Sequence, residues 1–171
     1  MKTGSTIRLA TIAALVSVAT TAPRTAFAQD MGIKVGMGAP AAAVESLDGK
    51  AMDLGALYGE KPVVLEFWAT WCPLCRKLEP SMQTAREKYA GRVQFVSVGV
   101  SSNQSAEKQK AYVEKQQMGG QFVFDKDGAA MKAFAVPHTS YVVVVDKGGK
   151  VVYTGVGPEQ DIDAAVRKAM R

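Results

Sequence analysis

Short apolar runs alternate along the chain with longer segments that have the composition and spacing of helices. Residues 63–68 and 93–100 are two such runs, the second rich in valine, and they predict buried strands. Residues 76–89 and 106–117 follow these runs and predict helices, of which the second is polar. Strands and helices that alternate in this order predict an α/β fold with one central sheet.

Two hairpins and a terminal helix complete the predicted order. An Asp-Gly pair within residues 46–50 lies between short apolar runs and predicts one hairpin. Residues 146–150 separate the runs 141–145 and 151–153 and predict another hairpin. Shorter elements are a strand at 122–124, a helix at 129–134 and an amphipathic helix at 161–170. Hairpins combined with strand–helix–strand units predict a mixed sheet.

The N-terminus has the pattern of a secretory signal peptide. Lys2 and Arg8 precede an apolar, small-residue stretch at 9–22, and Ala26-Phe27-Ala28 offers a cleavage site before Gln29. An uncleaved membrane anchor is the alternative, but a span needs about 20 predominantly apolar residues and this stretch is shorter. We therefore expect a signal peptide at 1–28, an irregular lead-in at 29–34 and one domain at 35–171, exported to the periplasm.

Composition restricts the possible partners and the compartment. The formal net charge of +5 includes Lys2, Arg8 and Arg24 of the predicted signal peptide, so the remaining domain is only weakly basic. No cluster of Lys and Arg remains that would favour nucleic acid as a partner. The chain has two cysteines, and export would expose both to an oxidising compartment.

The two cysteines, Cys72 and Cys75, have only Pro73 and Leu74 between them. A disulfide stabilises a protein mainly by closing a long loop of the unfolded chain, and this one would close almost nothing. The spacing therefore favours a redox dithiol over a structural bond. A strand before the motif and a helix after it predict Cys72 at a helix N-terminus, which favours a thiolate. We expect a partly exposed Cys72 to attack and a buried Cys75 to resolve the mixed disulfide.

Two motifs resemble those of thioredoxin-fold proteins. One is Glu-Phe-Trp-Ala-Thr-Trp-Cys-Pro-Leu-Cys at residues 66–75, and the other is Val-Pro-His-Thr at 136–139 before a hydrophobic strand. The signal sequence, the leading hairpin and the helix at 106–117 narrow the resemblance to the secreted TlpA/ResA-like thiol–disulfide oxidoreductases. The resemblance implies a thioredoxin fold: a central mixed β-sheet flanked by helices, with an N-terminal β-hairpin extension and an inserted helix.

Glu66 is a carboxylate within an otherwise apolar predicted strand, and burial of an unpaired carboxylate raises its pKa. Thioredoxins have a buried acidic residue at this position, so the resemblance implies that Glu66 acts as general base toward Cys75. The alternative is a solvated Glu66. Some members of the family have a functional Glu three residues after the second cysteine, where this chain has Leu78. We assign no role to the adjacent Glu79, because one residue along a helix turns a side chain by about 100°.

The resemblance also implies a surface for protein substrates. Thioredoxin folds have a cis-proline facing the dithiol, and the matching residue here is Pro137. A cis bond would expose the backbone of Val136 for β-type pairing with a substrate peptide; an ordinary trans loop proline is the alternative. Trp71 and Pro73, which flank Cys72, are expected to contact the same substrates.

Taken together, the resemblance implies an enzyme of the cell envelope that reduces disulfides in protein substrates, such as the haem-binding cysteines of apocytochrome c. A membrane thiol-reducing electron donor would regenerate the dithiol. No cofactor is expected, and we expect a monomer.

Two other functions use the same cysteines. A copper metallochaperone could bind Cu(I) through the thiolates of Cys72 and Cys75, but His138 is the only histidine and no third cysteine is present, so we assign no metal site. A peroxidase of the related peroxiredoxin type would have Thr or Ser three residues before the reactive cysteine. This chain has Ala69 there, which argues against that chemistry.

Overall fold

The computed structural model describes Met1 and residues 31–171, so the predicted signal peptide lies outside the described residues apart from Met1. The described chain forms one sheet with helices on both faces. The strands are β1 Ala43–Ser46, β2 Ala51–Asp53, β3 Val63–Trp68, β4 Gln94–Val100, β5 Gln121–Asp125, β6 Tyr141–Val145 and β7 Val151–Val156. The helices are α1 Pro73–Lys88, α2 Ala106–Gln116, α3 Ala129–Ala133 and α4 Ile162–Ala169, with a short 3-10 helix at Leu54–Leu57.

The seven strands lie in the order β2-β1-β5-β4-β3-β6-β7. The central strands β3, β4 and β5 run parallel to one another, because α1 and α2 carry the chain back between them. The β1–β2 and β6–β7 hairpins add antiparallel strands at the two edges. The expected mixed sheet, the N-terminal hairpin and the inserted helix are all confirmed.

The two faces of β3 carry different side chains, because successive residues of a strand point to opposite sides. Leu65 and Phe67 belong to a buried cluster that includes Phe134, whose ring centroid is 5.4 Å from that of Phe67. Val64 belongs to a second cluster, formed with residues of α1 and α4 such as Leu78. Glu66 shares the face of Val64, so it lies beneath the helix that contains the cysteines.

Two elements differ from their predicted bounds by three residues at one end. Helix α1 begins at Pro73 rather than at residue 76, since proline is well suited to the first turn of a helix, and it continues through Pro80. Strand β7 extends to Val156, because Val156 still pairs with Tyr141 of β6.

Residues 31–40 form no helix and pair only through an isolated bridge between Gly38 and Lys150, yet this segment is bound to the sheet. The Ile33 amide donates to the Phe134 carbonyl at 3.0 Å, and the Gly36 amide donates to the Val151 carbonyl at 2.8 Å. Gly32 packs directly against the buried ring of Tyr141, and a Cβ atom there would overlap the tyrosine hydroxyl.

We expect Gly32→Ala to destabilise the protein by about 2–4 kcal/mol, the sum of a backbone cost and an overpacking cost. Gly32 has a φ of 96°, which alanine rarely adopts, and its new methyl group would push against Tyr141. Gly36→Ala is the matched control, because its φ of 94° is almost the same and nothing lies within 4 Å. Urea unfolding should show a smaller loss for Gly36→Ala; equal losses would contradict the packing argument.

Candidate active site

Cys72 and Cys75 form a disulfide at the start of α1, with their Cα atoms 5.4 Å apart. Cys72 is the N-cap residue of the helix, and its sulfur accepts a hydrogen bond from the Cys75 amide at 3.0 Å. Pro73 is the first helical residue and has no amide hydrogen that would need a partner. The predicted position of Cys72 at a helix N-terminus is confirmed, and in the reduced protein the same amide and helix dipole favour a thiolate there.

The predicted exposure of Cys72 is wrong for this disulfide form. Cys72 is 1% exposed and Cys75 is 5% exposed. Both cysteines belong to the buried cluster that contains Phe67. Two apolar neighbours at this end of the helix are exposed instead, with Trp71 45% and Leu74 40% exposed.

The loop between β4 and α2 holds the segment before the cysteines. Gln104 accepts hydrogen bonds from both the amide and the hydroxyl of Thr70, each at 3.0 Å. The Trp71 indole donates to the Ser102 carbonyl at 2.8 Å. Sequence reasoning missed Ser102 and Gln104 as positioning residues, because no local pattern marks a contact across more than 30 residues.

Glu66 is 2% exposed, so its predicted burial is confirmed and the alternative of a solvated side chain is wrong. It lines a cavity of about 450 Å³ together with Trp68, Cys75, Glu79 and Tyr112. Burial raises the pKa of Glu66 from its ordinary value of 4.5 to about 8; the negative charge of Glu79 adds to the rise, and the positive charge of Arg86 opposes it. A carboxyl group with a pKa of about 8 is mostly protonated at neutral pH and loses its proton at mildly alkaline pH.

Glu79 and Arg86 form a two-bonded ion pair on the cavity side of α1. The Arg86 guanidinium donates to the two carboxylate oxygens of Glu79, at 2.6 and 3.2 Å, and the Arg86 side chain is 9% exposed. Cys75, Glu79 and Arg86 fall within about 40° of arc on the helix, since each residue advances by about 100°. With Cys75 placed at the start of a predicted helix, this helical spacing would have predicted Arg86 on the same face.

The structure corrects the prediction for Pro137. The Val136–Pro137 bond is trans, as are the other peptide bonds of the described chain. The trans isomer is the intrinsically favoured one, and the same loop contains Ala135 and Ser140, whose φ angles of 48° and 63° are left-handed. The Val136 amide donates to the Met131 carbonyl at 2.9 Å and is therefore occupied within the chain.

The loop that carries Val136 and Pro137 nevertheless lies at the cysteine end of the sheet. The Ser140 amide donates to the Phe67 carbonyl at 2.8 Å, and Phe67 is paired with Tyr141 across β3 and β6. Val136 packs against the cluster that contains both cysteines. His138 is exposed in the same loop.

The arrangement combines a disulfide at a helix start with a buried carboxyl group beside the second cysteine. Such groups can exchange disulfides and move the accompanying proton. Among residues 31–171, no three His, Cys, Asp or Glu side chains gather as a metal site would require. None of the helices in that range has both the length and the apolar character needed to cross a membrane.

Comparison with known proteins agrees with this chemistry. The family model described as Redoxin matches residues 34–169. The thioredoxin-like protein YneN of Bacillus subtilis is 30% identical over 121 residues, which are 70% of this chain and 71% of YneN. The thiol-disulfide oxidoreductase ResA of Bacillus cereus is 30% identical over 127 residues, which are 74% of this chain and 72% of ResA.

A solved structure agrees as well. The thiol:disulfide interchange protein of the thioredoxin family from Chlorobium tepidum superposes with a TM-score of 0.67 at 26% identity, over 80% of this chain and 97% of that protein. The expected thioredoxin fold is thereby confirmed. The chain belongs to the redoxin family, and it is a thioredoxin-like thiol–disulfide oxidoreductase.

Proposed function

We propose that this oxidoreductase reduces disulfides in protein substrates of the cell envelope, with Cys72 as the attacking thiol and Cys75 as the resolving thiol. The observation that carries the proposal is the disulfide at the start of α1 with the buried Glu66 in the same cavity as Cys75. Apocytochrome c, with its haem-binding cysteines, is the kind of substrate that we propose.

The reaction has two exchange steps. The Cys72 thiolate attacks one sulfur of the substrate disulfide, forms a mixed disulfide and releases the other substrate sulfur as a thiolate, which takes up a proton. The Cys75 thiolate then attacks the Cys72 sulfur, closes the Cys72–Cys75 disulfide and releases the second substrate thiolate. Two electrons pass from the protein dithiol to the substrate, which becomes a dithiol.

Glu66 serves the second step as general base. Burial raises the pKa of Glu66 to about 8, so its ionised carboxylate is a much stronger base than that of an ordinary glutamate and accepts a thiol proton at a smaller free-energy cost. Both groups line the same cavity, through which the proton can be relayed by water.

Substrates contact the apolar side chains around the cysteine motif. Trp71, Pro73 and Leu74 are all exposed next to the disulfide in the chain. Val136 and Pro137 are half-buried in the neighbouring loop and offer an adjoining surface. We propose that these residues bind a substrate segment mainly through apolar contact, since the Val136 amide already has a partner within the chain.

The envelope location rests on the N-terminal sequence pattern. Lys2, Arg8, the apolar stretch and the Ala26-Phe27-Ala28 site have the order of a secretory signal peptide. In an oxidising compartment the dithiol would be lost unless a donor restored it, so we also propose a membrane thiol-reducing partner.

The reduction potential tests the direction of electron flow. We expect a value below about −200 mV, the range of thiol-reducing members of the fold, and a partly reduced cysteine pair in cells. Equilibration against glutathione measures the potential, and alkylation trapping of periplasmic extracts measures the reduced fraction. The control is the double variant Cys72→Ser/Cys75→Ser, which cannot be alkylated. A fully oxidised pool with a potential near about −120 mV would identify a disulfide donor instead.

A further inference from the structure

A second carboxylate lies in the cavity with Glu66 and Cys75, and an arginine holds it. Glu79 is one helical turn after Cys75, and Arg86 binds it through two hydrogen bonds. A two-bonded guanidinium–carboxylate pair fixes both the position and the orientation of its charges. The Glu79 charge is therefore kept at one place in the cavity.

The charged groups around Glu66 come from one helix. Helix α1 supplies Glu79, Arg86 and the exposed Arg76, and in the reduced protein it also supplies the thiol of Cys75. Helix α2 supplies Tyr112. The neighbouring strands place uncharged residues opposite Glu66, namely Ser97 of β4 and Val142 of β6.

We propose that Glu79 and Arg86 form a positioning pair that sets, through their opposite charges, the pH at which Glu66 exchanges its proton with Cys75. This inference rests on the role proposed above for Glu66. The negative charge of Glu79 disfavours ionisation of Glu66, and the positive charge of Arg86 favours it. Glu79 lines the same partly buried cavity as Glu66, where a charge is screened less than it would be in water. The pair acts in addition to burial, which is the largest cause of the raised pKa of Glu66.

The test is a titration of Glu66 in variants of the two partners. Isotope-edited NMR of the oxidised protein follows the Glu66 carboxyl group without interference from thiols. Glu79→Gln should lower the pKa of Glu66, and Arg86→Gln should raise it. The double variant should return the pKa toward its native value, because both charges are then absent. Stopped-flow measurement of the Cys75 step in the reduced protein should show its pH midpoint moving in the same directions.

Two controls separate charge from structure. Arg86→Lys keeps the positive charge but not the two-bonded geometry, so Glu66 should titrate nearer its native pKa than in Arg86→Gln. Lys88→Gln removes a positive charge from the same helix, but Lys88 pairs with Asp163 of α4 outside the cavity, so Glu66 should be unaffected. A merely structural role for the pair would shift the pKa of Glu66 in the same direction in Glu79→Gln and Arg86→Gln.

The outcomes distinguish this inference from the proposed function. An unchanged pKa of Glu66 in both single variants, or shifts in the same direction, overturns the positioning role. If Glu66→Gln still slows the Cys75 step in that case, the proposed function stands. If instead the pKa shifts are opposite but Glu66→Gln leaves the rate unchanged, the pair sets the protonation of Glu66 as inferred, and the proposed role of Glu66 as base fails.

Discussion

Replacement of Glu66 by Gln should remove most of the pH dependence of unfolding between pH 4.5 and pH 8. Burial raises the pKa of Glu66 from 4.5 to about 8 in the folded protein. Between these values the folded state holds a proton that the unfolded state has released, so the free energy of unfolding falls as the pH rises. The stabilisation is fully present below about pH 4.5 and is lost as the pH rises through about 8. The loss is on the order of 5 kcal/mol.

Urea unfolding of the oxidised protein at several pH values between 4 and 9 measures this effect. Glu60→Gln is the matched control, because it makes the same chemical change at an exposed residue shortly before β3 and should preserve the native slope. Glu66→Gln should unfold with nearly constant free energy across the range. A Glu66→Gln protein that keeps the native slope would show that another group causes it.

The second large effect concerns the two cysteines. Cys75→Ser should accumulate mixed disulfides with substrate proteins through Cys72, whereas Cys72→Ser should accumulate none. Both variants should lose essentially all multiple-turnover reductase activity, because each exchange step needs its own thiol. The asymmetry comes from the N-cap position of Cys72, where the Cys75 amide and the helix N-terminus favour a thiolate.

Non-reducing gels of alkylated extracts, followed by mass spectrometry of the linked peptides, check this prediction. Serine is the appropriate replacement, since it has nearly the shape of cysteine and cannot form a disulfide. Trapping through Cys75 instead of Cys72 would also have a structural explanation, because Cys75 lines the cavity. If substrates enter from that side, Cys72→Ser would trap them through Cys75, and the assignment of the two thiols would be reversed.

The sequence by itself determined the elements whose signals are local. The apolar run at 63–68 coincides with β3, and α2 ends within one residue of its predicted bound. The hairpin turns, the helix starts and the Cys-x-x-Cys spacing depend on backbone preferences over a few residues, and these preferences are nearly the same in the free segment and in the folded chain. The burial of Glu66 also followed from such a pattern, since an acidic residue in an apolar strand is recognisable without the fold.

Only the tertiary structure decided what surrounds the cysteines. It buried Cys72, left the Val136–Pro137 bond trans and joined Gln104 to Thr70. It also paired Glu79 with Arg86 and placed Glu79 in the cavity that Glu66 lines. Burial and the charges that surround a group depend on which distant elements pack together, and no short segment of the chain carries that information. The redox motif is therefore a property of local sequence, whereas the proton chemistry that we propose for Glu66 depends on the packing of α1 over the sheet.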